Sequence, residues 1–331
     1  ENFFILNNVK IINFGLKYFN FLPKEGFFSS RFSYLVIFFL SFIPLLNLLK
    51  KNKPDYIIIH LISSLPLFLL NIFNFNTKFI LRISGFPKLT FIRKVLWKIS
   101  SKRIFLITSP TNQLINQLKK IRLFEKSKLV FLPDAIINMK TFLKKIKPDS
   151  LINKEKISKK YFIAAGRLTK QKNFKYLINE FNKFLKFNDS YNLLIFGNGE
   201  LQKSLITLVK RKNLADKIFL MGHSENLYYY IKNSQAFILS SLWEEPGFVL
   251  IEAAMCNSYI ISSDCNNGPY EFLNGGNSGT LFKNNEKNAL NDALIKFYNN
   301  KSNLIDKKII SKKNCKKYTM FGHYKYLIKL L

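Results

Sequence analysis

The stretch SSLWEEPGFVLIEAAMCN, Ser240–Asn257, decides how the rest of the chain is interpreted. In it Glu244 and Glu252 stand eight positions apart, on either side of a Pro246-Gly247 pair. A Pro-Gly pair after a polar run indicates a turn, and the apolar run from Phe248 to Cys256 predicts a buried helix. A helix that begins directly after a turn presents free backbone N–H groups to an anion. We therefore expect Glu244 on the loop before the helix and Glu252 about one turn inside it.

Both glutamates have a structural explanation as well as a functional one. A carboxylate near the start of a helix is stabilised by the helix dipole, and a loop glutamate is often a solvated charge. The functional interpretation needs a second, basic element, which the sequence supplies in GRLTKQK, Gly166–Lys172. Gly166 permits a tight turn, and Arg167 and Lys172 can converge on one anion such as a diphosphate. The alternative is two solvated residues of a lysine-rich protein.

Charge and cysteine content narrow the class of protein. The 331 residues suffice for two domains, and 52 basic against 20 acidic residues leave a net charge of +32. The basic residues are mostly scattered lysines, so we expect no nucleic-acid partner but peripheral contact with an anionic membrane. The three cysteines lack metal-ligand spacing, and their odd number argues against a disulfide framework. A cytoplasmic protein at the inner face of a membrane fits this composition.

Short β-branched runs alternate with helical patterns along the chain. Strands are predicted at Tyr56–Ile59, Lys78–Ile83, Ile104–Thr108, Leu129–Leu132, Tyr161–Ala165, Asn192–Phe196, Lys217–Met221, Ala236–Leu239 and Tyr259–Ser262. Helices are predicted at Thr90–Ser100, Asn112–Ile121, Asn173–Phe187, Glu200–Arg211, Asn226–Lys232, Phe248–Cys256, Pro269–Leu273, Lys287–Tyr298 and Ser311–Leu331. This alternation predicts α/β architecture, with parallel sheets covered on both faces. We expect two Rossmann-like, doubly wound domains, 1–145 and 146–331, with a cleft between them.

The N-terminal region is less informative. A loose alternation from Phe3 to Phe14 suggests a strand. The uncharged run Phe32–Leu49, interrupted by Pro44, is compatible with a membrane span, an interfacial helix or a buried helix. Residue 1 is a glutamate and no signal peptide is evident, so we expect a chain that lacks its true start.

Loops at the carboxyl ends of strands in one sheet share an edge, so their residues should meet. Besides the two stretches above, these loops include Phe196–Glu200, which contains Asn198, and Asp264–Glu271. A phosphate repels carboxylates, so Glu244 and Glu252 suit hydroxyl groups instead. A diphosphate flanked by polyol rings meets both demands, and such a ligand is a sugar nucleotide.

These residues resemble a known family. Gly166-Arg167 with Lys172, followed by Glu244 and Glu252 around Pro-Gly-Phe, are similar to the retaining family-4 glycosyltransferases of the GT-B fold, glycosyl transferases group 1. The resemblance covers about residues 54–331 and is strongest over 160–285. From 241 to 273 it is closest to bacterial enzymes that build polysaccharides, such as capsule or lipopolysaccharide, or lipid-linked glycans.

The resemblance implies roles for individual residues. Arg167 and Lys172 would hold the diphosphate, Glu252 the ribose and Glu244 the hydroxyls of the donor sugar, so that Glu244, Arg167 and Lys172 form the catalytic set. Backbone contacts to sugar and phosphate would come from Gly247, Phe248 and Val249. The resemblance also implies a hexosyltransferase that retains anomeric configuration, has no metal or other cofactor, accepts a glycan or polyprenyl-linked acceptor, and ends in a helix, 311–331, that crosses back to the first domain.

The chain departs from the family in its first half. No glycine-rich loop precedes residue 30, so we expect about one βα unit (~30 residues) to be lacking. Many members carry a histidine where this chain has Arg82-Ile83-Ser84-Gly85. Arg82 could contact the donor or acceptor instead, and His60 could reach the cleft. His223, after Met221-Gly222, is a candidate for a place near the base, with a structural histidine as the alternative for both imidazoles.

Two other functions remain open at this level. One is an epimerase-type enzyme acting on sugar nucleotides, which needs acids and bases in a first domain that is poor in them. The other is a catalytically inactive protein that grips lipid or nucleic acid through its lysines.

Overall fold

The computed structural model describes residues 27–148, 160–300 and 302–331, together with residues 12, 14 and 22. Most of the strand suggested for 3–14 and most of the polar linker near 150 lie outside the described residues. The chain divides into two compact units. Unit 1 comprises Glu1–Ile83, Pro87–Thr108 and Leu118–Val130, and unit 2 comprises Ser84–Phe86, Ser109–Gln117 and Phe131–Leu331. The domain boundary at residue 145 stays a prediction.

The first half of the chain builds a four-stranded sheet in the order β1-β2-β3-β4. Its strands are β1 Tyr56–His60, β2 Lys78–Arg82, β3 Leu106–Ser109 and β4 Leu129–Phe131. The helices of this half are α1 Phe27–Asn47, α2 Ser64–Ile72, α3 Phe91–Ser100 and α4 Asn112–Lys120. β1 pairs with β2 and β2 with β3 in parallel, as the strand–helix alternation predicts.

Helix α1 contains most of the uncharged run Phe32–Leu49, for which a membrane span, an interfacial helix and a buried helix were the three interpretations. It contains Pro44 and continues into a π-helical turn at Leu48–Asn52. Among the described residues, the stretch Arg31–Asn52 is long and apolar enough to cross a membrane by length and composition, a test that a core helix also passes. Only 11% of its most apolar window is buried, so the interpretation as a buried helix does not describe it.

Unit 2 contains a six-stranded sheet in the order β10-β9-β8-β5-β6-β7. The strands are β5 Tyr161–Ala165, β6 Asn192–Phe196, β7 Ile218–Gly222, β8 Phe237–Leu239, β9 Ile260–Ser263 and β10 Thr280–Phe282. Their pairings are parallel. The first strand, β5, lies between β6 and β8, so the chain winds outward in both directions from it. This is the doubly wound Rossmann order, whose ligand crevice lies at the carboxyl ends of the strands where the order reverses.

The core of unit 2 lies on both faces of this sheet. Alternate residues of β5 point to opposite sides, so Phe162 and Ala164 belong to one cluster and Tyr161, Ile163 and Ala165 to the other. All five are buried. Burial on both faces explains why the strands read as continuous apolar runs in the sequence.

The helices of the second half are α5 Met139–Lys145, α6 Phe174–Phe187, α7 Gln202–Arg211, α8 Leu227–Asn233, α9 Phe248–Met255, α10 Pro269–Phe272, α11 Ala289–Asn299, α12 Leu304–Cys315 and α13 Met320–Ile328. The single final helix predicted at 311–331 is wrong. Thr319 caps the start of α13, since its Oγ1 accepts the N–H of Gly322 at 3.0 Å. Just before it, the carbonyl of Tyr318 accepts the N–H groups of Ile136 and Ile137. These bonds interrupt the helix and divide it into α12 and α13.

Candidate active site

The candidate site lies in unit 2 where the strand order reverses, between β5 and β8. The loop after β5 carries Gly166 and Arg167, and the loop after β8 runs from Ser240 to Gly247, directly before α9. Parallel neighbours end at the same edge of a sheet, so these two loops meet. The expectation that Glu244 lies on the loop and Glu252 on the first turns of the helix agrees with the bounds of α9.

Hydrogen bonds fasten these two loops together. The 3₁₀ turn at Lys170–Lys172 follows the loop after β5. The hydroxyl of Ser240 donates to the carbonyl of Lys172 at 2.8 Å, and the N–H of Leu242 donates to the carbonyl of Gln171 at 2.8 Å. The Gln171 amide donates in turn to the carbonyl of Trp243 at 2.9 Å. Backbone and side chains of both loops are therefore held in a fixed register around the charged groups.

An ion pair joins two of the predicted catalytic residues. Lys172 Nζ lies 2.5 Å from Glu244 Oε1, and their side chains are 12% and 5% exposed. The buried hydroxyl of Ser241 donates to the same carboxylate oxygen, and the Ser241 carbonyl accepts the hydroxyl of Ser263 at 2.7 Å. The sequence interpretation assigned Lys172 to the diphosphate and Glu244 to the sugar hydroxyls of one sugar nucleotide. In the structure the two side chains neutralise each other, which lowers the cost of burying either charge.

A cavity of about 370 Å³ opens at the same edge of the sheet. It is lined by Ala165, Gly166, Arg167, Phe196, Gly197, Asn198, His223, Ser224, Leu227 and Val249. Five of the predicted site residues, from four different strand ends or helix starts, are thus brought to one cavity. Arg167 is exposed there and can offer its guanidinium to a ligand.

Glycine is required where the loops after β5 and β6 approach each other. A Cβ on Gly197 would lie 2.0 Å from the carbonyl oxygen of Gly166, which is shorter than any side chain tolerates. Gly197 also has a positive φ of 126°. The Gly-Asn-Gly turn, ordinary by itself in the sequence, is what lets Asn198 stand beside Arg167 at the cavity.

The ion pair between Lys172 and Glu244 lies against two glycines, Gly247 at the start of α9 and Gly166 after β5. Gly247 begins α9 with a φ of 90°, and a Cβ built there would lie 3.6 Å from Glu244 Cγ. On the other side, the Lys172 side chain passes within 2.9 Å of a Cβ built on Gly166. The start of α9, the ion pair and the loop after β5 therefore form one continuous cluster. Phe248, the first residue of α9, is 48% exposed.

Glu252 follows the cavity residue Val249 by three positions, so the two side chains lie on the same face of α9. Its Oε1 accepts the hydroxyl of Tyr228 at 2.7 Å. Desolvation raises the pKa of the Glu252 carboxyl, while the Tyr228 bond and Lys145 oppose the shift. Burial and Glu252 itself raise the pKa of Tyr228. The carboxylate is thus positioned by a phenol that sequence reasoning did not select, because no spacing rule links α8 to α9.

Two further glutamates lie in this region. Glu245 was not selected from the sequence, and Glu271 has a different role from the one predicted for its loop. Glu245 is adjacent to Glu244, and its pKa is raised by desolvation and by that neighbour; a Cβ on Gly85 would overlap its carboxylate. Glu271, in the predicted ligand loop, accepts the N–H groups of Asn112 and Gln113 at 3.0 and 2.9 Å. It therefore caps α4 rather than remaining available to a ligand.

The three remaining candidate residues, His60, Arg82 and His223, have different surroundings. His223 lines the cavity, is exposed, and lies 3.2 Å from Glu225 Oε1 through Nε2. His60 and Arg82 belong to unit 1, where they are register partners on β1 and β2. Arg82 is buried and His60 is exposed. Their roles stay predictions. Among the described residues, no group of three or more His, Cys, Asp or Glu side chains could hold a metal ion.

Comparison with known proteins defines the family. The model of the family "Glycosyl transferases group 1" matches residues 145–319, more than half of the chain. The chain therefore belongs to this family. The match includes the loop after β5, the ion pair and α9.

Curated relatives carry related names. An uncharacterised glycosyltransferase of Methanocaldococcus jannaschii is 31% identical over 69% of this chain and 60% of its own length. The N-acetylgalactosamine-N,N'-diacetylbacillosaminyl-diphospho-undecaprenol 4-alpha-N-acetylgalactosaminyltransferase of Campylobacter jejuni is 30% identical over 43% of this chain and 41% of its own. This chain thus spans 60% or less of these two relatives.

Solved structures share the fold. A glycosyltransferase from Rickettsia africae matches with a TM-score of 0.72 at 15% identity, over 92% of this chain and 82% of its own. HepE of Anabaena, crystallised with UDP and glucose, matches with a TM-score of 0.67 at 11% identity, over 86% and 80% of the two chains. Together with the parallel α/β sheets, these likenesses confirm the GT-B fold that the sequence predicted.

Proposed function

We propose that this protein transfers a sugar from a nucleoside-diphosphate sugar to a glycan or lipid-linked acceptor. Two observations carry the proposal: the buried ion pair between Lys172 and Glu244, and the cavity lined by Arg167 at the carboxyl ends of the strands in unit 2. A guanidinium and an ammonium suit a diphosphate, and a carboxylate suits sugar hydroxyls. The family membership of the chain supports the same reaction class.

In this proposal the two cations take the departing diphosphate. The bond between the anomeric carbon and the β-phosphate oxygen breaks, and a bond from the anomeric carbon to an acceptor hydroxyl oxygen forms. The acceptor hydroxyl loses its proton to water, and the nucleoside diphosphate leaves with one more negative charge than it carried in the donor. Arg167 and Lys172 stabilise that charge as it develops, which is where fixed positive groups lower a barrier most.

Glu244 changes partner during donor binding in this scheme. When Lys172 turns to the diphosphate, Glu244 keeps the hydroxyl of Ser241 and gains the hydroxyls of the donor sugar as further donors. Glu252, held by Tyr228, accepts from the ribose. Backbone N–H groups at the start of α9, from Gly247 to Val249, contact sugar and phosphate.

The names of similar proteins guide the choice of substrates. HepE was crystallised with UDP and glucose, and the Campylobacter jejuni relative is named for a diphospho-undecaprenol acceptor. By analogy we propose a UDP-sugar donor and a glycan or polyprenyl-linked acceptor, transfer with retention of anomeric configuration, and a cytoplasmic site of action peripheral to the inner membrane. We also propose that Arg82 contacts the donor or acceptor and that His60 is a substrate-binding residue.

The test is nucleoside-diphosphate release from a panel of sugar nucleotides, with and without lipid-linked acceptors. We expect one donor to be turned over only with acceptor present, and a fall of at least 100-fold in kcat for Lys172→Ala and Glu244→Gln, as is common when one charge-stabilising group is removed. The matched control is Lys203→Ala, an exposed lysine on α7. Normal turnover in both site variants contradicts the proposal. A modified sugar nucleotide formed without acceptor points to the epimerase-type alternative.

A further inference from the structure

Helix α3 is anchored by one face only. Trp97 is 4% exposed and Ser100 is fully buried. The indole packs against Phe124 with ring centroids 5.2 Å apart, and the Ser100 hydroxyl accepts the amide of Asn71 at 2.9 Å. At the start, Thr90 Oγ1 accepts the N–H of Arg93. These contacts fix the orientation of α3 within unit 1. They therefore also fix which face of the helix is exposed to solvent.

The outer face of α3 carries large apolar side chains where a water-soluble helix normally carries mixed charges. Phe91 is 81% exposed, Ile92 78%, Val95 41% and Ile99 58%. Ile92, Val95 and Ile99 are spaced i, i+3 and i+7, so they form one stripe along the helix. A contiguous exposed apolar stripe of this kind marks an interaction surface.

Cations border this stripe. Lys94 and Lys98 are exposed and four residues apart, which places them side by side on the adjoining helix face. Lys88 and Lys102 are exposed just before and just after the helix. Lysines next to an apolar stripe can extend their ammonium groups toward anions while their stems follow the apolar surface.

The charge of the surrounding sequence has one sign. From residue 56 to residue 124 the chain contains no aspartate or glutamate, although it has 20 such residues in all. The same span contains Lys78, Arg82, Lys88, Arg93, Lys94, Lys98, Lys102, Arg103, Lys119, Lys120 and Arg122. Positive charge of one sign beside an apolar stripe complements a surface of uniform negative charge over an apolar layer.

We infer that the outer face of α3 is a docking surface for an anionic lipid bilayer, on which the helix lies in the interface with its apolar stripe among the acyl chains and its lysines at the headgroups. Apolar burial and electrostatic attraction add in such a helix. The inference assigns a specific surface to the peripheral membrane contact proposed above. It does not depend on the transfer reaction, since binding is measured without donor or acceptor.

The first test is sedimentation of the full chain with phosphatidylcholine vesicles, with and without phosphatidylglycerol. We expect binding to the anionic vesicles that weakens with salt. Replacing Lys94 and Lys98 together by Gln should reduce partitioning roughly 30-fold, from the typical contribution of each lysine at such a surface. The matched control replaces Lys203 and Lys210, exposed on α7 of unit 2, and should bind as wild type.

The apolar stripe has its own variants. Ile92→Ser with Ile99→Ser should reduce partitioning at least tenfold, since two side chains no longer enter the acyl region. Ile206→Ser, 37% exposed on α7, is the control. Thermal unfolding of each variant checks that the fold is kept. Wild-type partitioning of both α3 variants, or equal binding of wild type to neutral vesicles, overturns the inference.

A labelling experiment reports the same contact without weakening it. All three native cysteines are buried, so a cysteine introduced as Val95→Cys can be labelled selectively with a polarity-sensitive fluorophore. Its emission should shift to the blue with anionic vesicles, while the same label at Ile206→Cys should not shift. An unshifted label at position 95 contradicts the inference. So does an α3 variant that abolishes self-association of the chain but leaves vesicle binding intact, because the stripe then covers a second copy.

Discussion

Glu244 has two hydrogen-bond donors on one oxygen, and this arrangement explains how a nearly buried carboxylate is retained at the candidate site. Lys172 supplies the charge and Ser241 a neutral bond to Oε1. Removal of the lysine leaves a charge that burial penalises, whereas removal of the serine leaves the ion pair intact. The two contacts therefore make different predictions.

Lys172→Met is expected to lower the free energy of unfolding by about 3 kcal/mol, since it leaves the Glu244 carboxylate without its counter-charge. Glu244→Gln should also destabilise the protein. The double variant should be more stable than the sum of the two single effects implies, by about 1–3 kcal/mol, because the two residues are in contact. Urea unfolding of the four proteins measures this coupling. Additive effects would show that the ion pair does not stabilise the fold.

Ser241→Ala tests positioning rather than binding. We expect kcat to fall about tenfold, corresponding to one lost hydrogen bond to a charged group, with little change in KM for the donor. Ser241→Thr retains the hydroxyl and should recover part of the activity. Ser204→Ala, an exposed serine on α7, is the control. If Ser241→Ala changed the stability of the protein but not kcat, Ser241 would have a structural role only.

At the scale of elements, α9 combines an anion-binding start with a buried carboxylate. Val249 contributes to the cavity wall, and Glu252 follows on the same face, with the buried Ile251 and Ala253 on either side. The pKa of Glu252 is raised because its surroundings desolvate the carboxylate. Folding therefore favours the protonated form of this residue.

This raised pKa predicts a pH effect on stability. Between the unfolded and the folded pKa of Glu252 the folded protein binds more protons, so its contribution to unfolding free energy falls as pH rises through that window. Above the window the cost of the buried charge is fully present. Glu252→Gln should therefore raise Tm at neutral pH relative to wild type, and the gain should vanish in acid, below the window. A gain that persists unchanged in acid would contradict burial as the cause.

Continuous apolar runs predicted most of the strands in unit 2, because both faces of the six-stranded sheet are buried. β5 and β6 have the predicted bounds, Tyr161–Ala165 and Asn192–Phe196. β10, Thr280–Phe282, was missed because only two apolar residues, Leu281 and Phe282, stand in a row there, between Gly279-Thr280 and the polar run that begins at Lys283. The division between α12 and α13 has one local signal, the Thr319 cap, which the sequence analysis did not use. It also depends on contacts of Tyr318 and Thr319 with Ile137 near α5, which is far away in the sequence.

The candidate site shows the same limit. Spacing and residue type predicted that Arg167, Lys172 and Glu244 lie on loops at one edge of the sheet, because strand ends of a doubly wound sheet converge. They did not identify Ser241 or Tyr228, whose roles arise from side-chain contacts. They also placed the loop Asp264–Glu271 at the ligand edge, although the last residue of that loop, Glu271, caps α4. Spacing and residue type predict which side chains can come close together. Only the folded structure shows which of those side chains already have hydrogen-bond partners within the protein.

At the scale of the whole molecule, charge is divided unevenly along the chain. Acidic residues are absent from residues 56–124, whereas Glu244, Glu245 and Glu252 of the candidate site lie in the second half of the chain. The excess of +32 would attract any anion weakly. Specific recognition of a nucleotide must therefore be separated from this general attraction.

Calorimetric titration with UDP makes that separation and tests the central claim most directly. We predict one saturable site per chain, weakened at least tenfold in Arg167→Ala and unchanged in Lys203→Ala, with inorganic sulfate unable to compete at equal ionic strength. Binding that is absent, or that is equally tight in Arg167→Ala, would contradict the assignment of the cavity beside Gly166 and Val249 to a sugar nucleotide.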